Sequence, residues 1–100
     1  MKVEELFIPV EYAENYAVSN YGRVINLKKG FELNQRLERV TNRCKVRFYI
    51  DGGYVDEYVD ELVTQAFFVE YHPGVEIFYK NHNRRDCTVL NLTFDPQYKE

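Results

Sequence analysis

Two tight-turn signals, each flanked by segments that alternate apolar and polar residues, constrain the fold of this chain most strongly. The first lies at residues 19–22 (Ser-Asn-Tyr-Gly), where Asn and Gly tolerate a positive φ angle. Alternating segments at 16–18 and 23–27 stand on either side of it, and Lys-Lys-Gly at 28–30 closes the unit. A period of two is typical of a strand with one buried face, so this region is predicted to be an antiparallel hairpin.

The second turn signal is Asp-Gly-Gly at residues 51–53. Residues 44–50 before it alternate apolar and basic side chains, and residues 54–59 are predicted to return as the partner strand. Asp60 then stands at the position of a helix N-cap, and an apolar helical face follows. The residues of that face are Leu62, Val63, Ala66 and Phe67. The helix is expected to end near Val69, before a Pro-Gly pair.

Residues 31–43 allow two interpretations. Leu33, Leu37 and Val40 have the spacing of a helix face, whereas residues 31–33 fit a short strand followed by a loop. We favour the strand and the loop. The predicted fold is therefore α+β, with antiparallel hairpins packed on one central helix.

Length and composition set outer bounds on what this chain can be. One hundred residues, 45% hydrophobic and 29% charged, fit a single folded domain (1–100) with one modest core. No apolar run approaches the roughly 20 residues that a membrane span needs, and no signal-peptide hydrophobic region is expected at residues 1–5. Cys44 and Cys87 are predicted to be reduced, buried thiols, and no metal site is expected because neither histidine has ligand spacing with them.

Charge is distributed unevenly along the chain, although the net charge is only −3. Residues 20–50 contain eight basic and two acidic side chains, whereas residues 51–76 contain seven acidic and no basic ones. Such asymmetry indicates a binding partner, and the alternative is a solvated surface.

The first hairpin carries a family resemblance. Residues 16–24 follow the signature Y-x-V-S-N-Y/x-G-R-V, after a lead-in at residues 3–10 that contains a proline. This run resembles the nuclease-associated modular domain that precedes HNH endonuclease modules. The resemblance implies a modular hairpin unit over residues 1–30.

The C-terminal half, residues 44–96, resembles the HNH module itself. In phage HNH endonucleases its closing half follows apolar-x-H-x-[ND]-G-N-[KR]-x-[ND]-N-x-x-x-N-L-x-apolar, and residues 77–94 align with it without gaps. The residues that match this pattern are Asn81, Asn83, Arg84, Asp86, Asn91, Leu92 and Phe94. The family's helix V-H-R-L-V-A-x-A-F also matches, except that its His-Arg pair is Asp60-Glu61 here.

The position of the catalytic histidine holds Tyr79. HNH catalysis uses that histidine as general base together with a divalent metal, and a tyrosine with an ordinary pKa near 10 stays protonated at neutral pH. The resemblance therefore implies a degenerate, ββα-type C-terminal half that is not an enzyme and needs no cofactor. A four-residue deletion would instead place His82 on the catalytic position and give a residual nickase. Asn91 is most simply a structural residue.

Three functions follow from the resemblance. The first is a non-catalytic, phage-type protein in the bacterial cytoplasm that inhibits a host nuclease or defence complex, in the manner of an anti-CRISPR protein, by binding a basic protein surface. Its candidate contact residues are Tyr54, Asp56, Glu57, Tyr58, Asp60 and Glu61. The acidic members also allow an acidic metal site, though their spacing suits a strand end better. The second function is a DNA-binding module, and the third is the nickase. The candidate phosphate-binding residues of the DNA-binding module are Arg23, Lys45, Arg47, Arg84 and Arg85.

Overall fold

The computed structural model describes residues 3–100, which form nine β-strands, one α-helix and one short 3₁₀ helix. In chain order the elements are β1 (Phe7–Val10), β2 (Ala13–Ser19), β3 (Val24–Asn26), β4 (Phe31–Glu32), β5 (Arg36–Glu38), β6 (Arg43–Ile50), β7 (Gly53–Tyr58), α1 (Val59–Phe67), β8 (Phe78–Tyr79), β9 (Leu92–Thr93) and the 3₁₀ helix Pro96–Tyr98. All paired strands are antiparallel. The predicted α+β class, with antiparallel sheets and one helix, is confirmed.

The first sheet has the order β1-β2-β3-β4 and contains the predicted N-terminal hairpin. Val18 pairs with Val24 across the turn, and both side chains are buried. The hydroxyl of Ser19 accepts hydrogen bonds from the backbone N–H groups of Tyr21 and Arg23, each at 3.1 Å. Gly22 has a φ of +81°, as the turn chemistry predicted.

The second sheet has the order β5-β6-β7 and contains the hairpin predicted around residues 51–53. Along β6, Val46 and Phe48 are fully buried, whereas the alternate residue Tyr49 is exposed on the outer face. Strand β5 was not predicted, because this segment was expected to be a loop. It pairs with β6, which places Arg36 opposite Lys45.

Helix α1 follows β7 without a loop. Its N-cap residue is Tyr58, which makes no side-chain capping bond, so the prediction that Asp60 is the N-cap is wrong. Asp60 lies inside the first turn and is buried, and its carboxylate is used elsewhere in the core. The helix ends at Phe67, two residues before the expected Val69. Its nine residues are too few and too polar to cross a membrane, and residues 3–100 contain no other α-helix.

The core lies between the two larger sheets and the helix. The rings of Tyr16 from β2 and Phe48 from β6 stack with their centroids 4.3 Å apart. The Tyr16 hydroxyl accepts a hydrogen bond of 3.0 Å from the backbone N–H of Tyr49. Val59 and Val63 of α1 are fully buried in the same cluster. One core thus joins both hairpins.

The C-terminal part attaches to the first hairpin through its turn. Strands β8 and β9 form a two-residue ladder, in which Phe78 faces Thr93. In the connection between them, the backbone N–H of Val89 donates to the carbonyl of Asn20 at 2.9 Å. The nearby Cys87 packs directly against Gly22. The connection between β8 and β9 therefore rests on the turn at residues 19–22.

Candidate functional site

Asparagine and aspartate side chains hold the loop between β8 and β9 in shape. The Asn91 carboxamide accepts from the backbone N–H of Asn81 at 3.0 Å and donates to the carbonyl of Asp86 at 2.8 Å. Asn81 donates in turn to the Asp86 carboxylate at 2.9 Å. His82 has a φ of +60°, at the position where the family pattern has glycine. The gap-free alignment of residues 77–94 accounts for that left-handed residue, since glycine favours this region.

Tyr79 lies at the centre of a buried polar cluster. Its side chain is 2% exposed, and its hydroxyl donates to the carboxylate of Asp60, which is 1% exposed. Arg43 donates to the same carboxylate from two guanidinium nitrogens at 2.9 and 2.7 Å. Burial, together with the negative charge of Asp60, raises the pKa of Tyr79 far above its ordinary value. At neutral pH this hydroxyl is a fixed hydrogen-bond donor.

The positions beside Tyr79 are equally closed to solvent. Phe78 is 9% exposed and carries no oxygen. Cys87, at the second Asn position of the HNH pattern, is buried, and burial raises the pKa of its thiol to about 12. The Asn91 carboxamide already accepts one hydrogen bond and donates another within its loop. The metal that an HNH nuclease requires therefore does not fit the residues present.

Metal ligands do not gather elsewhere in the described chain. Residues 3–100 contain no group of three or more His, Cys, Asp or Glu side chains placed to hold a metal ion. His82 points outward from its loop, with its Nδ1 atom 3.9 Å from a carboxylate oxygen of Glu100.

The acidic segment lies directly against the basic one, because β7 pairs with β6. Asp56 accepts from the Arg47 guanidinium at 2.8 and 3.1 Å and lies 3.3 Å from Arg36. Asp60 is buried against Arg43, which removes it from any exposed surface that the neighbouring carboxylates form. Three carboxylates of the acidic segment, Asp56, Asp60 and Glu61, are therefore paired with arginines of the basic segment.

The remaining candidates of the acidic segment occupy different environments. Tyr54 is 57% exposed, and the Arg47 guanidinium lies 3.8 Å from its ring centroid. Tyr58 shares the face of Tyr54, lies under Arg43 at 3.7 Å and donates its hydroxyl to Glu38. Glu57 is half-buried on the opposite face of β7, and burial raises its pKa. Of the six candidate residues, Tyr54 is thus exposed, Asp60 is buried, and the other four are half-buried.

The five basic candidates do not form one patch. Arg23, on the first hairpin, binds Glu5 and Glu32 at 2.8 Å each. Lys45 binds Glu38 at 2.7 Å. The other candidates are Arg47, paired with Asp56; Arg84, which lies 3.6 Å from Glu100; and Arg85, which forms no ion pair within residues 3–100.

The Glu38 carboxylate gives a pH-dependent prediction. Hydrogen bonds from Lys45 and Tyr58 lower its pKa from 4.5 to about 2. A depressed carboxyl pKa stabilises the fold above the unfolded-state pKa, and the contribution is lost as the pH falls through the folded-state value. Wild-type protein should therefore lose more stability between pH 5 and pH 2 than Glu38→Gln in urea unfolding. Parallel losses in the two proteins would contradict this assignment.

A basic and aromatic cleft, which the sequence analysis missed, lies between the first sheet and strand β6. We call it the lysine cleft. Its volume is about 370 Å³. The side chains that give it its chemistry are Lys28, Lys29, Phe31, Arg47 and Tyr49. The available signal was the Lys-Lys-Gly-Phe run at 28–31, but its partners on β6 lie almost twenty residues away.

Comparison with known protein families gives a match to the N-terminal half of the chain. Residues 5–49 match the NUMOD4 motif. The matched range extends from just before β1 into β6, and it confirms the modular-domain resemblance of the first hairpin. No curated protein matches this sequence.

One solved structure is similar over most of the chain. It is described as "DNA binding and cleavage by the HNH homing endonuclease I-HmuI", and it superposes with a TM-score of 0.79 at 24% identity. The match covers 87% of this chain and 50% of that one. This chain therefore spans about half the length of the endonuclease, with which it shares a fold.

Proposed function

We propose that this chain is a DNA-binding module built on the frame of an HNH homing endonuclease and that it does not cleave DNA. The NUMOD4 match and the endonuclease-like fold support the binding part of this proposal. The observation that carries the non-cleaving part is the buried Tyr79–Asp60 pair at the position where the HNH pattern has its histidine.

A general base must reach the proton it removes, and its pKa must allow it to accept that proton. Tyr79 meets neither requirement, because its hydroxyl is buried, donates to Asp60 and has a raised pKa. In this proposal the antiparallel pair of β8 and β9, with the loop between them, is the part of the HNH module that is kept as a scaffold. Asn91 and Asp86 then serve to hold the loop rather than to hold a metal.

Binding to DNA requires cations that are not already neutralised by the protein. Within residues 3–100, the cations that are exposed and form no ion pair are Lys28, Lys29, Arg39, Lys80, Arg85 and Lys99. Contacts from such groups to phosphates supply most sequence-independent affinity for DNA. Such unpaired cations are therefore better candidates for phosphate contacts than the paired Arg23 and Lys45.

A plasmid assay tests the proposal directly. We expect no nicking of supercoiled DNA with Mg²⁺ or Mn²⁺, because no residue can act as the base at the Tyr79 position. A fluorescence anisotropy titration of a short duplex should show binding that weakens as salt rises. Metal-dependent nicking that disappears in His82→Ala would instead show that the chain is a nickase and that the gap-free alignment is wrong.

Inhibition of a host nuclease is the second candidate function, and one observation favours it: Tyr54 is exposed beside the paired charges of β7. The acidic attraction on which this hypothesis relied is weaker than the sequence indicated, since Asp56 and Asp60 have guanidinium partners. A protein captured from bacterial lysate by wild type but not by Asp56→Lys would support it. Capture by both proteins would remove β7 from the contact. The phage origin, the cytoplasmic location and the division into units 1–30 and 44–96 stay predictions of the resemblance.

A further inference from the structure

The lysine cleft has the size and the walls of a binding site. Its volume of about 370 Å³ falls within the range of about 300–1,000 Å³ typical of ligand pockets. One wall comes from β2, the turn after β3 and β4, and the other comes from Arg47 and Tyr49 of β6. The turn is held by Asn26, whose side chain accepts from the Lys29 backbone N–H at 2.9 Å and whose carbonyl accepts from the Gly30 N–H at 2.7 Å. The lysines therefore project from a fixed backbone.

The electrostatics of the cleft favour an anion. Lys28 and Lys29 form no ion pair within residues 3–100, and no carboxylate lines the cleft. Arg47, the third cation, is partly neutralised by Asp56 on the adjacent strand. The unneutralised positive charge thus comes from the two lysines at the rim.

Two of the three aromatic side chains that line the cleft are open to solvent, whereas the third, Tyr16, is buried. Phe31 is 52% exposed and Tyr49 is 68% exposed, whereas large aromatic side chains are mostly buried. Tyr49 meets Tyr54 edge to face at 6.3 Å, and the face of Tyr54 is covered by Arg47. The ring of Tyr49 therefore contacts a neighbouring aromatic ring and remains open to solvent.

Exposed aromatic rings beside phosphate-binding lysines are the combination that recognises unpaired nucleotides. Lysines hold the backbone, and flat aromatic rings stack on bases. Bases inside a duplex are already stacked on their neighbours, so a single strand offers base faces that a duplex does not. We propose that the lysine cleft binds single-stranded DNA, with bases stacked on Phe31 and Tyr49 and phosphates on Lys28 and Lys29. This inference rests on the proposed DNA-binding function and specifies the form of DNA that one site takes.

Affinity measurements on matched strands test the stacking. A labelled 12-nucleotide thymidine strand should bind more tightly than a 12-base-pair duplex in an anisotropy titration at one salt concentration. Tyr49→Leu and Phe31→Leu should each weaken single-strand binding by about tenfold, as expected for loss of one stacked base. Duplex binding should change less than twofold. Tyr12→Leu is the matched control, because Tyr12 is 48% exposed but lies outside the cleft.

A fluorescence signal reports stacking without relying on affinity. The sequence contains no tryptophan, so Tyr49→Trp introduces a single indole at the cleft. Adding the thymidine strand should quench its emission, whereas the same titration of Tyr12→Trp should leave the emission unchanged. Equal quenching of both variants would overturn the placement of bases on Tyr49.

The two lysines have a separate test in the salt dependence. Each phosphate contact to a single strand contributes a slope of about −0.7 to a plot of log affinity against log salt. The double variant Lys28→Ala/Lys29→Ala should therefore flatten that slope by about 1.4. The control Lys80→Ala/Lys99→Ala removes two exposed lysines outside the cleft and should not change it.

The outcomes separate this inference from the function on which it rests. Duplex binding without single-strand preference, or single-strand binding unaffected by Tyr49→Leu and Phe31→Leu, would overturn the inference and leave the DNA-binding module standing. Failure to bind either form of DNA would overturn both. The melting temperature of each variant should lie within a few degrees of the wild-type value. A loss of binding can then be assigned to the substitution and not to unfolding.

Discussion

Replacing Asp60 by alanine is expected to lower the free energy of unfolding by about 3–5 kcal/mol, because it removes the buried partner of Arg43 and leaves only the partly exposed Glu61. The Asp60 carboxylate is 1% exposed and accepts hydrogen bonds from both Arg43 and Tyr79. Without it the Tyr79 hydroxyl also loses its acceptor in the core. Urea unfolding monitored by circular dichroism measures the loss, which is large against a typical total of about 5–15 kcal/mol.

The adjacent residue provides the matched control. Glu61 also accepts from Arg43, at 3.1 Å, but its side chain is 41% exposed. Solvent screens such a pair, so Glu61→Ala should cost no more than about 1 kcal/mol. If the two alanine variants were equally stable, the charge of Asp60 would contribute no more than that of a surface residue. The buried cluster would then not be what holds β8 against the helix.

The sequence was sufficient to predict the hairpins, because turn chemistry and alternation are local. Residues 19–22 and 51–53 each contain the glycine that the turn needs, and each turn lies between segments with a period of two. Once the turn is fixed, the register of β6 against β7 follows from which side chains must be buried. Val46 and Phe48 are fully buried as that argument requires.

Strand β5 could not be predicted in the same way. Its residues Arg36–Glu38 contain a single apolar side chain, Leu37, which is itself 37% exposed. The strand exists because it adds to the edge of β6, where Lys45 bonds Glu38. Such tertiary pairing leaves no periodic pattern in the segment itself.

The candidate site was misjudged for a similar reason. An aspartate just before an apolar helix is usually a cap, and nothing local indicates that Asp60 points into the core. The deciding partners are Arg43, seventeen residues earlier, and Tyr79, nineteen residues later. The lysine cleft likewise joins β4 with β6, so charge counts along the chain could not locate it.

Gly22→Ala should be the second most damaging of these substitutions, with a loss of about 2–4 kcal/mol. About 1 kcal/mol of that comes from the φ of +81°, which an L side chain rarely adopts. The rest comes from contact, because an added Cβ would lie 3.0 Å from both the carbonyl carbon and the carbonyl oxygen of Cys87. Those are backbone atoms of the loop between β8 and β9, so the steric clash can be relieved only if that loop moves.

Gly30→Ala separates the two contributions. Gly30 has a similar φ of +78°, but an added Cβ there would meet nothing within 4 Å. That variant should lose only about 1 kcal/mol in urea unfolding, which is the conformational part alone. The difference between the two variants then measures how firmly the β8–β9 loop is held on the first hairpin, next to the hydrogen bond from Val89 to Asn20. Equal losses would mean that this loop moves off the turn at little cost, and that the nuclease-like C-terminal part is only loosely attached to the modular hairpin.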